Sequence, residues 1–188
     1  AGGTNFSFKS LDSNGYQEGG PCKNEFDLGV KGCAYFNRPT GIAISPDGET
    51  LYVAEGSNNR IRSVSVETGR TSLIAGSGVA GFQDGAGSSA TFNGPYTLDV
   101  SSDNKTIYVA DKYNHAIRAI DLATRNVTTL FGKGVIGKRD GSFSDAVLAI
   151  PEYVREENGT LYWTEAGSHT IRAANLALQK VLTVSGSN

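Results

Sequence analysis

The stretch Ile74–Gly85 reads IAGSGVAGFQDG, and its interpretation decides the fold. Glycines at 76, 78 and 81 spell G-x-G-x-x-G, the spacing of a loop that cradles a dinucleotide pyrophosphate. That function needs a helix opening directly after the loop, with its free N–H groups facing the phosphate. Here Phe82-Gln83-Asp84-Gly85-Ala86-Gly87-Ser88-Ser89 follows, a poor first helical turn with no helical apolar period behind it. The same spelling returns 56 residues later as LFGKGVIGKRDG, Leu130–Gly141, with glycines at 132, 134, 137 and 141 and Asp140 in the place of Asp84. A structural unit used more than once is a simpler account than two phosphate loops.

Working outward, AYFNRPTGIAISPDGETLYVAEGSNNRIRSVSVETGRTSLIAGSG from Ala34 aligns without a gap over 45 positions with ATFNGPYTLDVSSDNKTIYVADKYNHAIRAIDLATRNVTTLFGKG from Ala90. A third copy starts near Ala146, loses two residues near Asn158 and continues LYWTEAGSHTIRAANLALQKVLTVSG. Pro39, Pro95 and Pro151 mark the period. In the first copy, strand-like runs cover Thr40–Ser45, Thr50–Glu55, Arg60–Val66 and Thr71–Ala75, separated by turn sequences such as SPDGE and ETGR. Short links between neighbouring strands make an antiparallel meander, and four strands per repeat of this length make a propeller blade. The fold expected is all-β: a β-propeller built of four-stranded antiparallel blades, incomplete at three blades (34–89, 90–145, 146–188) behind an N-terminal extension (1–33). The G-x-G-x-x-G segment becomes the connector from one blade to the next, its glycines serving positive φ and close backbone passage.

The pattern FN.P before the first strand, the runs LYVAE..NNRIR, IYVADKYNHAIR and LYWTEAGSHTIR, and the LIAG.G..G..DG connector resemble the NHL-repeat family of β-propellers. The resemblance covers about residues 34–186. It implies rings of usually six blades, of which this sequence supplies about three. A three-blade arc leaves two apolar blade faces to be covered by a second copy, another chain or further polypeptide. The resemblance also brings two alternatives. Some NHL-like propellers are metal-dependent lyases or lactonase-like hydrolases, and others bind RNA.

Net charge is −2, with no basic surplus for phosphate contacts, which disfavours nucleic acid. No apolar run approaches the ~20 residues of a membrane helix. Cys22 and Cys33 sit in one loop-like stretch; two cysteines fall short of a structural zinc site, and a disulfide between them is expected. His115 and His169, the only histidines, occupy one repeat position that Asn59 holds in the first blade. Recurrence by blade suits a hydrogen-bonding residue at a strand entry better than a catalytic one. Glu55, Asp111 and Glu165 are likewise equivalent, as are Arg62, Arg118 and Arg172, and are expected to form repeated ion pairs or turn caps. Asp84 and Asp140 read as turn formers, too few oxygens for calcium. No catalytic residue, cofactor or metal site is expected.

Sequons stand at Asn5, Asn104, Asn126 and Asn158, the last three in inter-strand turns expected to be exposed. With the disulfide they suggest a secreted or cell-surface glycoprotein. The function expected is a non-catalytic extracellular interaction or assembly module with protein partners, including its own copies; a fragment of a propeller enzyme is the alternative.

Overall fold

The structure is a computed structural model that describes residues 34–186. Cys22, Cys33 and Asn5 lie outside the described residues. Three antiparallel sheets follow one another along the chain. The first contains β1 (Pro39–Ile44), β2 (Thr50–Glu55), β3 (Arg60–Ser65) and β4 (Thr71–Ala75). After a two-residue strand β5 (Gly85–Ala86), the second contains β6 (Pro95–Val100), β7 (Thr106–Asp111), β8 (Ala116–Asp121) and β9 (Asn126–Phe131). After β10 (Gly141–Ser142), the third contains β11 (Pro151–Glu157), β12 (Thr160–Glu165), β13 (Thr170–Asn175) and β14 (Lys180–Ser185). No α-helix occurs among the described residues. Each predicted strand of the first repeat lies within a residue of its place.

The connectors do more than join blades. β5 pairs with β9 and β10 with β14, so each connector supplies a short fifth strand to the sheet that follows it. The second sheet therefore begins at Gly85 rather than at Ala90. Pro39, Pro95 and Pro151 each open a first strand, where a missing N–H breaks no ladder, opposite Glu55, Asp111 and Glu165.

The core lies between blades. One cluster joins Tyr52, Ala54, Ile61 and Ile74 of the first blade to Phe92, Leu98, Ile107 and Val109 of the second. A second cluster joins Tyr108, Ile117 and Phe131 to Leu148, Leu161 and Trp163 of the third. The second sheet is packed on two sides, so its middle strand β7 is buried on both faces. TIYVAD shows that pattern directly.

The opening glycines have a mechanical role. Gly76 (φ +105), Gly132 (φ +98) and Gly186 (φ +89) leave the last strand at the same place in each blade. A Cβ on any of them would fall 2.3 Å from the carbonyl oxygen of Asn59, His115 or His169 respectively. The fingerprint spacing arises from passing one backbone close over another, and only a three-residue 3-10 turn at Gly87–Ser89, no α-helix, follows the first connector.

Candidate functional site

The acid and arginine of each repeat meet in one buried knot. In the second blade Arg118, with no exposed surface, donates Nη1 to Asp111 Oδ2 (2.8 Å) and Thr91 O (3.0 Å). Its Nη2 donates to Asp84 Oδ1 (2.7 Å) and Gln83 O (3.0 Å). Asp111 accepts further from Asn93 N–H (2.8 Å) and Asn114 Nδ2 (2.7 Å). Asp84 accepts from the backbone N–H of Thr129 (3.0 Å) and its Oγ1 (2.9 Å). The third blade repeats the scheme: Arg172 donates to Glu165 (2.8 Å), Val147 O (2.9 Å), Arg139 O (2.8 Å) and Asp140 (2.9 Å), and Thr183 donates to Asp140. In the first blade Arg62 holds Tyr35 O (2.7 Å) and Thr71 Oγ1 (2.6 Å), with Glu55 3.8 Å away.

The second- and third-blade knots each join the connector, the second, third and fourth strands and the segment ahead of the first strand. The ion-pair expectation for the acids and arginines holds. Asp84 and Asp140 are more than turn formers, since they carry the second half of the guanidinium and anchor the outer strand. Desolvation works to raise both carboxyls, but the threonine donors and the arginine outweigh it and hold them below the ordinary aspartate value. Burial pushes Asp111 up to about 6, against the pull of Arg118 and the donors from Asn93 and Asn114. Asp84, Asp111, Asp140 and Glu165 are each held by several donors, an arrangement that fixes the elements of a blade to one another.

The shared histidine position is a staple between blades. Asn59, His115 and His169 all adopt left-handed backbone, with φ near +50. Asn59 Oδ1 accepts from Gly94 N–H (2.9 Å), and His115 Nδ1 accepts from Ile150 N–H (3.2 Å). Gly94 and Ile150 are themselves repeat equivalents at the entry to the next blade. Burial holds the His115 imidazole below its ordinary value, with Glu165 pulling the other way. The stability this neutral ring contributes is present above the unfolded value near 6.5 and is lost as pH falls through the lower folded value. His115→Asn, which copies Asn59, should therefore flatten the fall in Tm between neutral and mildly acidic pH, while His115→Ala should cost about 1 kcal/mol at neutral pH. Thermal unfolding across that range reads both.

The first strands line a concave surface. A cavity of about 670 Å³ runs from the flank of the first blade, at Ile42 and Ile44, across Thr97 and Asp99 to Tyr153 and Arg155. The strands are tied by Thr97 Oγ1 donating to Glu152 O (2.6 Å) and Glu156 N–H donating to Asp99 Oδ2 (2.7 Å). Gly41 permits the approach: a Cβ there would lie 2.6 Å from Tyr96 O and Thr97 Cα. At the strand entries Lys112 pairs with Glu152 (2.7 Å) beneath the Tyr96 ring (4.5 Å), and Tyr96 meets Tyr153 edge-on. Nothing in the repeat pattern announced this wall, because its residues differ from blade to blade.

Asn126 and Asn158 are exposed. Asn104 is half-buried: in a left-handed turn conformation (φ +55), it donates Nδ2 to Asp47 of the first blade (3.2 Å). It stands where the first blade has Gly48 (φ +76), so the turn itself accounts for an asparagine at this position. The expectation of exposure is met at the other two sites and not here.

Comparison with known proteins agrees with this geometry. The NHL repeat family model matches residues 36–62. NHL repeat-containing protein 2 of Gallus gallus is 31% identical over an alignment covering 91% of this chain and 25% of that protein. The chain is an NHL-repeat protein. The Arabidopsis thaliana protein Suppressor of quenching 1, chloroplastic, is 32% identical over 75% of this NHL chain and 14% of its own length. The chain thus spans a quarter or less of these relatives. Among solved structures, a nidogen/laminin complex superposes with a TM-score of 0.58 at 17% identity, covering 80% of this chain and 49% of that one. Virginiamycin B lyase from Staphylococcus aureus gives 0.52 at 16%, covering 78% and 41%. Both show the propeller architecture alone. Among the described residues no helix is long and apolar enough to cross a membrane, and no cluster of three or more histidine, cysteine or acidic side chains could hold a metal.

Proposed function

We propose that the NHL arc is a non-catalytic protein-interaction platform that engages partners through the first-strand wall. The observation that carries this reading is the division of labour among polar groups. Those that recur with the repeat are consumed in knots and staples, whereas the non-repeating Tyr153 and Arg155 face outward on the wall. The nidogen/laminin structure offers a precedent in which a propeller-containing structure is a protein complex.

The enzyme alternative draws on the lyase neighbour, but His115 here already accepts a backbone N–H. The RNA alternative would need a basic track. Lys133, Lys138 and Arg139 are exposed on the second connector, yet Ser77, Phe82 and Gln83 take those places on the first, so the charge does not repeat. Secretion, with N-linked glycans at Asn126 and Asn158, is the compartment that the exposed sequons fit. A glycosidase-dependent mass shift in the native-source protein supports it. An unchanged mass would favour a compartment without glycosylation, such as the one in the Arabidopsis relative's name.

The test uses this chain as bait. Tyr153→Ala with Arg155→Glu should abolish capture of the partners held by the unaltered chain, at a stability cost of about 1–2 kcal/mol from the lost Tyr96 and Asp99 contacts, which leaves the chain folded in thermal unfolding. Retained capture by the double variant, or metal-dependent turnover by the purified chain, would sink the platform reading.

A further inference from the structure

The exit of the fourth strand, the turn from the second to the third and the entry of the first all lie at one end of the sheets, and the two connectors cross that end as fixed loops. In the first connector Ser77 N–H donates to Ala90 O (2.8 Å) and Gly81 N–H to Phe92 O (3.0 Å). Arg60 Nη2 and Asn114 Nδ2 hold Ser77 O (2.9 Å) and Gly81 O (2.7 Å). In the second, Gly137 N–H donates to Leu148 O (3.0 Å). The tips that these anchors present are apolar: Val79 is 68% exposed, Val135 58% and Ile136 60%. Phe82 links the two loops, since a Cβ on Gly134 would meet its ring at 3.0 Å.

This exposure does not arise from the limits of the three-blade arc. Val79 and Val135 are repeat equivalents. Val79 has the following connector beside it and stays exposed, and Val135 has the preceding connector beside it and stays exposed. Neither neighbour covers the position, so a further blade of the same kind on either side leaves it open. The surroundings are basic. Lys133 and Lys138 flank Val135 and Ile136, and among the described residues no carboxylate pairs with either. Asp140, the only acid between Gly132 and Gly141, is engaged with Arg172 and Thr183. Aliphatic side chains this exposed stand clear of their neighbours rather than line a groove. A protein partner must supply a hollow for each such tip, whereas a fluid bilayer shapes itself around them and offers anionic headgroups to the lysines beside them.

We propose that the connector face docks on the surface of an anionic phospholipid membrane, with Val79, Val135 and Ile136 entering the interface and Lys133 and Lys138 meeting the headgroups. The attachment is peripheral and reversible, made by side chains of fixed loops. The exposed sequons Asn126 and Asn158 stand at the other end of the strands, so glycans there leave this face free. The proposal goes beyond the platform reading, which concerns the wall and not the connectors.

Flotation of the 188-residue chain with lipid vesicles tests it. Phosphatidylcholine vesicles containing about one-third phosphatidylserine should carry the parent upward at low salt, and vesicles of phosphatidylcholine alone should not. Lys133→Gln with Lys138→Gln should weaken binding by about thirtyfold, and Val135→Ser with Ile136→Ser by about tenfold or more. All four residues are exposed in the chain, so both variants should keep cooperative unfolding near the parent temperature. Ile42→Asp, on the flank of the first blade, should bind as the parent does, which separates the connector face from other exposed apolar surface. A cooperatively folded parent that floats with neither vesicle, or equally with both, overturns the proposal. So does binding that survives unchanged in either connector variant, or that Ile42→Asp abolishes. Binding to soluble polyglutamate with none to the vesicles also overturns it and assigns the lysines to an acidic protein. Partner capture through Tyr153 and Arg155 does not use the connectors, so either idea can fail without the other.

Discussion

Arg118→Met should lower the unfolding free energy by about 3–5 kcal/mol, because it leaves a carboxylate buried without its counter-ion. The guanidinium has no exposed surface and makes four hydrogen bonds, to Asp111, Thr91 O, Asp84 and Gln83 O. Methionine fills much of the volume beside Phe82 and Phe92, both about 5.1 Å from the guanidinium, so packing is the smaller part of the loss. Asp111 already titrates near 6 through burial, and without Arg118 its carboxyl rises further. A carboxyl raised above its unfolded value of 3.8 adds stability below that value and loses it as pH climbs through the folded one. The deficit of the variant should therefore narrow as pH is lowered from 7 towards 5. Denaturant unfolding at several pH values measures this. A loss below about 1 kcal/mol would place Arg118 with weakly contributing surface charges.

Gly132→Ala should be the second severe change, costing about 3 kcal/mol or more. Positive φ (+98) alone disfavours alanine, and its Cβ would sit 2.3 Å from His115 O and 2.6 Å from Ala116 Cα. Both obstacles are backbone, so no side chain can rotate away. Gly48 is the control: its φ is +76, but a Cβ there meets nothing within 4 Å, so Gly48→Ala should cost about 1 kcal/mol from conformation alone. Equal effects at the two positions would show that close passage is not what the connector glycine serves.

These two residues also show what was legible in the sequence. The blade was readable because a turn such as SPDGE and short strand-like runs are local signals, and a 56-residue period repeats them. The same period identified Arg118 with Asp111 as structural and His115 as a strand-entry residue. The other half of each knot was hidden by distance. Asp84 lies 34 residues from Arg118 and 45 from Thr129, and no local pattern announces that the three converge. The recurrence of aspartate, arginine and threonine together in the last two repeats was the available signal. The connector strands β5 and β10 were missed because two residues of Gly-Ala or Gly-Ser carry no alternation. The wall was invisible for the opposite reason, since Thr97 and Tyr153 are repeat equivalents that share no chemistry.

The recurring polar residues of the second and third blades lock each of these blades to its connector. Amide hydrogen exchange at Thr129 and Thr183 tests it most directly. Both lie on the outermost long strand of their sheets, and both N–H groups donate to a connector aspartate, Asp84 or Asp140. Protection at both positions comparable to the middle strands is the predicted result, with Arg118→Met releasing Thr129 and leaving Thr183 protected. Rapid exchange at Thr129 in the parent chain, or no change there when Arg118 is removed, would contradict the account.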